Sequence, residues 1–376
     1  MGRRGFLTLD PCVSRYLFSI IPARAYNSSN DQEAGLRAVQ KIIAGASEPK
    51  GAVERLFRLV EGDLSAVNTL IVERMQSTVP LIPELAGHLI KSGGKRLRPM
   101  LTLAAAQLSG YTGAGHVHLA TAVEFIHTAT LLHDDVVDES ALRRGQAAAH
   151  MIWGNAPSVL VGDFLFARAF ELMVETGSLR VLSILAHASA VIAEGEVMQL
   201  SSVRDLAISE ETYLKIVAAK TAALFAAAAE SGAVLARGEA AREQALHEYG
   251  RNLGIAFQLV DDALDYSGRE AMMGKAVGDD FREGKLTLPV IIAFAKAHGN
   301  ADETAFWQRT MAERHQSELD LTHAIHLIDK HQAIAATVAR ARHFADEACK
   351  ALEGFPESAM HRALVDLAEF CVSRAY

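Results

Sequence analysis

The chain has 376 residues, a formal net charge of -8 at pH 7 and a hydrophobic content of 50%. The hydrophobic share allows a sizeable core, and the acidic balance argues against a general nucleic-acid-binding protein while leaving a local basic pocket open. Nine prolines and few alternating apolar runs favour an all-α protein. Cys12, Cys349 and Cys371 lack metal-ligand spacing and indicate a reducing compartment rather than a disulfide framework.

The first thirty residues differ from the rest because they carry four arginines, several serines and one acid, Asp10. This composition is typical of a mitochondrial transit peptide, and the alternative is a disordered bacterial leader or a start codon assigned too far upstream. We favour the alternative, so we expect a leader at 1–32, one domain at 33–376 and a cytoplasmic location, with the mitochondrial matrix as the second option. The later sequence lacks a run of about 18 apolar residues, so we predict no membrane span.

Helical spacing begins near Glu33, and the first polar motif is the sequence Ser-Gly-Gly-Lys-Arg-Leu-Arg-Pro at 92–99. Two glycines make the backbone of this loop flexible, and Pro99 favours the start of a helix. Lys95 and Arg98 in such a loop are well suited to a phosphate or diphosphate. On its own, this motif is explained equally well as a basic surface loop.

A run of helix-forming residues from about Ala120 leads to His-Asp-Asp-Val-Val-Asp at 133–138. A helix there places Asp134 and Asp138 on one face, with Asp135 beside them. These carboxylates repel one another unless a cation lies between them, and magnesium binds through one or two carboxylates together with phosphate oxygens. Taken alone, the cluster is better explained as a solvated helix face.

The same spacing recurs in Asp-Asp-Ala-Leu-Asp at 261–265, within a second helical run from about Ala240. Asp261, Asp262 and Asp265 repeat the first pattern, and apolar residues precede both clusters. An acidic patch at the end of an apolar stripe fits the mouth of a pocket better than an open surface. Two facing patches could hold several divalent ions, so the pair favours a metal site.

Arg143 and Arg144 follow five and six residues after Asp138. They either neutralise the aspartates in surface salt bridges or, where metal ions already do so, bind an anionic ligand. His127 lies two helical turns before Asp134. Spacing alone indicates that this histidine is a core residue.

Ser209 is predicted to cap a helix that carries Lys220 and Thr221 among alanines. Because burial of polar groups without partners is costly, these two side chains are expected to point into a cavity. A glycine-punctuated loop with Lys275 and Lys285 follows the second aspartate cluster. The sequence from 301 onward is interpreted as helical scaffold.

Together and in this order, the motifs resemble those of the trans-isoprenyl (polyprenyl) diphosphate synthase family over roughly residues 51–376. The motifs that carry the resemblance are Gly-Gly-Lys-Arg-Leu-Arg-Pro at 93–99, Asp-Asp-Val-Val-Asp at 134–138, Arg-Arg-Gly at 143–145, Lys-Thr at 220–221, Phe-Gln at 257–258, Asp-Asp-Ala-Leu-Asp at 261–265 and Gly-Lys at 274–275. The resemblance implies an all-α fold, a single antiparallel helical bundle around a deep apolar cavity, usually as a homodimer. It implies an enzyme that adds isopentenyl diphosphate head to tail to an allylic diphosphate primer.

The resemblance also implies roles for individual residues. Magnesium, about three ions per site, neutralises the diphosphate, and its expected ligands are Asp134, Asp138, Asp261 and Asp265. The residues expected at the reaction centre are Asp134, Asp135, Asp138, Lys220, Asp261 and Asp262. Those expected to hold the allylic diphosphate are Arg143, Lys220, Thr221, Gln258 and Lys275. Those expected to hold isopentenyl diphosphate are Lys95, Arg98, His127 and Arg144, and Lys285 is a further substrate-binding candidate.

The expected product is long. Thr130 and Ala129 precede Asp134 by four and five residues, which is about 6–7.5 Å along a helix. A bulky aromatic side chain there would block a growing chain, and both residues are small. We therefore predict a long product of quinone side-chain type, about eight to ten isoprene units by resemblance, with peripheral membrane contact possible for the product.

Two other classes of protein share some of these features. A non-catalytic subunit of a heteromeric synthase would normally lose one aspartate cluster or the basic loop, and both are intact here. A terpene cyclase uses aspartates and magnesium but does not need a second diphosphate site. A purely structural helical protein would not need six aspartates at two cavity mouths.

Overall fold

The computed structural model describes residues 51–91, 93–267 and 277–374, which belong to one compact unit. The predicted leader and Lys275 lie outside the described residues. The first helices are α1 (Ala52–Arg74), α2 (Leu81–Lys91), α3 (Leu97–Leu108), α4 (Gly115–Val137), α5 (Ala149–Trp153), α6 (Asn155–Glu175), α7 (Leu179–Ser201) and α8 (Glu210–Val217). A π-helical turn, Ala218–Ala222, then leads directly into the next helix.

The second half continues with further helices. These are α9 (Ala223–Leu235), α10 (Ala240–Asp265), α11 (Asp279–Glu283), α12 (Leu288–Lys296), α13 (Ala301–Trp307), α14 (Asp320–Lys330), α15 (Ala333–Ala351) and α16 (Ala359–Ser373), with a second π-helical turn at Gln308–Ala312. The predicted all-α fold is confirmed.

Helical periodicity in the sequence places the core. In α1 the residues with spacing of three and four, Leu56, Val60, Leu64, Val67 and Ile71, are buried. Burial of such a stripe, at roughly 25 cal/mol per Å² of apolar surface, stabilises a helix more than its intrinsic propensity does. The largest apolar cluster is formed mainly by α1, α3, α4, α6, α7, α9, α10, α15 and α16.

The long helices α4 and α10 carry the two aspartate clusters, and both run through this core. Helix α4 packs mainly against α6, whereas α10 packs against α9 and α15. A smaller apolar cluster around Tyr266, Phe281 and Trp307 joins the end of α10 to the segments that follow. The carboxyl ends of α4 and α10 are therefore held by packing on several sides.

A short β-hairpin departs from the helical prediction. Strand β1 (Leu142–Arg143) pairs antiparallel with β2 (Gln146–Ala147). Both turn residues, Arg144 and Gly145, have positive φ, as two-residue hairpin turns of type I′ require. The hairpin turns the chain back after α4 and returns Arg143 toward Asp135, whereas Arg144 lies beside Gly94.

Within the described part of the chain, two stretches are long and apolar enough to cross a membrane by length and composition: α7, and the continuous stretch Glu210–Leu235. In their most apolar windows, 28% and 56% of the residues are buried inside the protein. Core helices meet the same criterion, and Glu210–Leu235 packs against α7 and α10. The absence of a membrane span stays a prediction.

Candidate active site

The first aspartate cluster forms the carboxyl end of α4. Asp134 and Asp138 lie one turn apart, since the amide of Asp138, the C-cap residue, donates to the carbonyl of Asp134 at 2.7 Å. Asp135 is buried and accepts a hydrogen bond from Nε of Arg143 at 2.8 Å. The hairpin therefore supplies a counter-charge to the middle carboxylate and leaves the outer two side by side.

Crowding and burial make Asp134 difficult to ionise. Burial raises its pKa to about 7, Lys220 opposes the rise, and Glu196 and Asp138 add to it. A cation placed at this carboxylate would remove most of this cost, because an opposite charge favours the ionised form.

The π-helical turn presents Lys220 and Thr221 to two different helices. Lys220 Nζ lies 2.8 Å from Oε2 of Glu196 on α7. Thr221 Oγ1 donates to Oε1 of Gln258 on α10 at 2.9 Å. Gln258 in turn donates to Oδ1 of Asp262 at 2.8 Å, so the turn is connected by hydrogen bonds to the second aspartate cluster.

The second cluster lies at the end of α10. Asp262 is buried, and its other oxygen accepts a hydrogen bond from the phenol of Tyr213. Burial raises the pKa of Asp262 to about 6, although the hydrogen bonds from Tyr213 and Gln258 lower it. Asp261 accepts from Arg374 at 3.0 Å. Asp262 is therefore held by neutral hydrogen-bond donors, whereas Asp261 is paired with a cation.

Asp265 has a third kind of environment. Its two oxygens accept from the backbone amides of Asp279 and Asp280 at 3.2 Å each, and its carbonyl accepts from Gly278 at 2.9 Å. These contacts fix the start of α11 against the end of α10.

Lys285 connects the two clusters. Its Nζ lies 3.0 Å from Oδ2 of Asp138 and 2.6 Å from Oε2 of Glu283. Burial alone would lower the pKa of Lys285, but Asp138, Glu283 and Asp280 raise it above its ordinary value. The pKa of Asp280 is raised by burial and by Asp262 and Asp265. The amide of Lys285 donates to the carbonyl of Asp280 at 2.8 Å, and the amide of Asp280 donates to Asp265, so Lys285 lies between Asp138 of the first cluster and Asp265 of the second.

A separate group of cations lies near the start of α3. Arg98 Nη1 donates to Nε2 of His127 at 3.2 Å, and its guanidinium lies 4.4 Å from the ring centre of Phe225. Burial lowers the pKa of Arg98 to about 10, and Glu124 and Asp261 oppose this. Burial and the neighbouring arginines hold the pKa of His127 well below its usual value, so its imidazole is neutral.

Arg144 and Lys95 complete this group. A Cβ built on Gly94 would lie 2.9 Å from Nη1 of Arg144, so the glycine gives the guanidinium room beside the loop. Lys95 lines the same small apolar pocket as Phe257 and Arg374. The four residues predicted for isopentenyl diphosphate thus gather around α3 and α4, with Asp261 within electrostatic reach of Arg98.

Several residues of the site were not selected from the sequence: Glu124, Glu196, Tyr213, Asp280 and Arg374. Glu196 and Tyr213 pair with residues 24 and 49 positions away, and Arg374 pairs with a residue 113 positions away. Local spacing carries no signal for such pairs. Arg374 also shows that the segment interpreted as scaffold contributes to the site.

The carboxylates fit a divalent metal in their chemistry. Among the described residues, no group of three or more His, Cys, Asp or Glu could hold an ion by itself. Magnesium needs only one or two carboxylates when phosphate oxygens and water complete its shell. Two buried carboxylate oxygens, Asp135 Oδ2 and Glu196 Oε1, have no hydrogen-bond partner within the described part of the chain, as expected near a cation site.

Comparisons with known proteins identify the family. A family profile described as polyprenyl synthetase matches residues 79–328. The octaprenyl diphosphate synthase of Haemophilus influenzae is 44% identical over 325 residues, which cover 86% of this chain and 98% of the relative.

Two solved structures have the same fold. A polyprenyl synthase from Caulobacter crescentus, complexed with calcium and isoprenyl diphosphate, is 57% identical with a TM-score of 0.83, covering 87% of this chain and 100% of the other. A decaprenyl diphosphate synthase from Rhodobacter capsulatus is 54% identical with a TM-score of 0.83, covering 86% and 99%. The resemblance seen in the motifs is confirmed: the chain belongs to the polyprenyl synthetase family.

Proposed function

We propose that the protein is a long-chain trans-polyprenyl diphosphate synthase that adds isopentenyl diphosphate units head to tail to an allylic diphosphate primer. The observation that carries this proposal is the position of Lys285, which contacts Asp138 of the first carboxylate cluster and, through Asp280, Asp265 of the second. A second group of cations lies around Arg98. The allylic diphosphate can lose its pyrophosphate group beside the carboxylate clusters, while isopentenyl diphosphate is held by the cations around Arg98.

The carboxylates would hold magnesium. We propose Asp134, Asp138 and Asp261 as its ligands, with Asp135 and Asp262 supporting them. When bound, magnesium would neutralise the negative charge that grows on pyrophosphate as the allylic C–O bond breaks. Calcium in the Caulobacter crescentus structure is another oxygen-seeking divalent cation.

The chain's own cations would hold the allylic diphosphate. Lys220, Arg143 and Lys285 are each paired with a carboxylate, which fixes their positions before substrate arrives. Thr221 and Gln258 add neutral hydrogen-bonding groups, and Lys275 is a further candidate outside the described residues. Preorganised donors of this kind stabilise charge that develops in a transition state.

The second group would hold isopentenyl diphosphate. Arg98, Arg144 and Lys95 supply positive charge, and the neutral His127 can hydrogen-bond without adding charge. The electron pair of the allylic C–O bond leaves with pyrophosphate, and the double bond of isopentenyl diphosphate forms the new C–C bond. The proton then lost from the substrate passes to the released pyrophosphate, so no separate protein base is required.

The product is proposed to be long, about eight to ten units, as suits a quinone side chain. The relatives named above make octaprenyl and decaprenyl diphosphate. In this chain, Ala129 is completely buried, and Thr130 donates to the carbonyl of His127 at 2.8 Å. Neither side chain is large enough to close a path that runs down α4 from Asp134.

A homodimer is proposed from an apolar face on α6 and α7. Leu160, Phe170 and Val174 are exposed on α6, and Leu179 and Val197 are exposed on α7. In the most apolar window of α7, 28% of the residues are buried, so most of its side chains are partly or fully exposed. Exposed apolar side chains on neighbouring helices are typical of an interaction site, and we propose that a second copy of the chain covers them.

The assay that tests the function combines purified protein, labelled isopentenyl diphosphate, a short allylic primer and magnesium. We expect elongated polyprenyl diphosphate as product and no product after chelation of divalent metal. Asp134→Asn should lower kcat by roughly a hundredfold or more, because it removes a group that acts on developing charge. Asp329→Asn, at an exposed position on α14, is the matched control and should retain full activity.

Other products of this assay would decide against the proposal. A cyclic hydrocarbon would indicate a terpene cyclase. Binding of both substrates without turnover would indicate a subunit of a heteromeric synthase.

Metal binding should depend on pH. Because the pKa of Asp134 is raised to about 7, the carboxylate is protonated at lower pH, and a metal ion must displace that proton. We expect the affinity for magnesium alone, measured by calorimetry, to be severalfold weaker at about pH 6 than at about pH 8. Asp134→Asn should weaken binding at both values and flatten the pH dependence. Equal affinities of the wild-type protein at the two pH values would contradict this ligand assignment.

Product length should respond to the size of residue 129. Ala129→Phe is expected to shorten the product by one or more isoprene units, because the aromatic ring would close the path about 7.5 Å from Asp134. Chromatography of the dephosphorylated products measures the length. Ala129→Ser keeps a small side chain and should leave the length unchanged. An unaltered product from an active Ala129→Phe enzyme would show that the chain grows elsewhere.

The dimer should depend on the apolar face of α6. Leu160→Glu places a charge at a side chain that is 66% exposed, so it should shift the dimer toward monomer in light scattering without lowering helix content. Leu319→Glu, at an 80% exposed position outside this face, is the control and should stay dimeric. A monomeric wild-type chain that floats with phospholipid vesicles would instead assign the face to lipid.

A further inference from the structure

The π-helical turn at Ala218–Ala222 is not explained by its own sequence. The five residues Ala-Ala-Lys-Thr-Ala contain no proline and no glycine, and alanine and lysine are strong α-helix formers. Mid-helix π-turns are rare and concentrate at functional sites. The packing around the turn must therefore supply the reason that the helix widens there.

The turn packs between two buried glycines on neighbouring helices. A Cβ built on Gly195 of α7 would lie 2.7 Å from Cβ of Ala219 and 2.9 Å from the backbone nitrogen of Lys220. A Cβ built on Gly254 of α10 would lie 2.7 Å from Cα of Ala222. Real Cβ atoms do not approach backbone atoms this closely, so any larger residue would push the turn away.

These glycines also adjoin the partners of the turn. Gly195 precedes Glu196, which pairs with Lys220, and Gly254 lies one helical turn before Gln258, which accepts from Thr221. Glycine inside a helix is unfavourable relative to alanine. A packing requirement at the turn accounts for its presence at both positions.

We propose that Gly195 is a positioning residue: it lets α7 approach the π-helical turn so that Lys220 and Thr221 point toward the allylic diphosphate site. Gly254 serves the same turn from α10. This inference rests on the proposed function, in which Lys220 and Thr221 bind that diphosphate. It concerns no residue of the isopentenyl diphosphate group, so its effect should be confined to one substrate.

The test replaces Gly195 by alanine and measures each substrate separately. Gly195→Ala should raise KM for the allylic primer by about ten- to a hundredfold. The added methyl group would displace Lys220 and Thr221, and a displacement of up to about 1 Å has effects of this size. KM for isopentenyl diphosphate should change by less than about twofold. Calorimetric binding of inorganic pyrophosphate with magnesium should weaken in parallel.

Two matched controls and one rescue separate positioning from general damage. Gly62→Ala on α1 and Gly87→Ala on α2 add a methyl group with nothing within 4 Å, and both should keep wild-type binding. Adding Ala219→Gly to Gly195→Ala removes the nearest contact and should restore part of the pyrophosphate affinity. Ala219→Val, which crowds the same space from the opposite side, should reproduce the defect where Gly195→Ala folds poorly.

The possible results are distinguishable. Unchanged pyrophosphate affinity and unchanged allylic KM in folded Gly195→Ala would overturn the inference. Equal losses for both substrates, with a lowered melting temperature and no rescue by Ala219→Gly, would assign Gly195 a structural role only and also overturn it. A wild-type protein that binds pyrophosphate but elongates no primer would refute the proposed function instead.

Discussion

The structure depends on balancing negative charge at the buried ends of two helices. Carboxylates that leave water must be paired, hydrogen-bonded or protonated. Four of the six aspartates are compensated by different groups: Asp135 by Arg143 of the hairpin, Asp138 by Lys285, Asp261 by Arg374 of the C-terminal segment, and Asp262 by Tyr213 and Gln258. Charge compensation at the site thus ties together the hairpin, the entry to α12 and the end of the chain. The fold and the site constrain each other through these pairs.

The same pairs suggest how substrate can bind without leaving a buried charge unpaired. If a diphosphate binds Lys220 and Lys285 as we propose, their carboxylate partners become available to a cation. If metal and diphosphate arrive together, each removed ion pair is replaced by another, and the net charge of the region changes little. Breaking one buried pair without replacement would cost far more than exchanging partners. This constraint favours a site in which metal binding and diphosphate binding are coupled.

Local periodicity predicted the helices well but could not predict the pairs between them. The buried stripe of α1, the cap at Ser209 and the helices carrying both aspartate clusters follow from spacing, since each depends on residues three or four apart. The hairpin was not predicted because its turn needs a positive φ at Arg144, a conformation that arginine rarely adopts. Tyr213, Glu196 and Arg374 were missed because their partners are distant in sequence. His127 shows the limit most clearly, since spacing indicated a core residue and only its neighbour Arg98 places it beside the cations.

The two aspartate clusters have the same sequence spacing but different hydrogen-bond and ion-pair partners. Asp138 and Asp265 occupy the same position in their motifs, and the family resemblance implies that both bind metal. Asp138 is paired with the ammonium group of Lys285, a group that also suits a phosphate oxygen. Asp265 accepts hydrogen bonds from two backbone amides at the start of α11, which hold that segment against α10. We therefore favour Asp134, Asp138 and Asp261 as exchangeable ligands and Asp265 as the support that holds α11 in place. Since Lys285 lies just beyond α11, the contacts by which Asp265 holds α11 also help to place the ammonium group that pairs with Asp138.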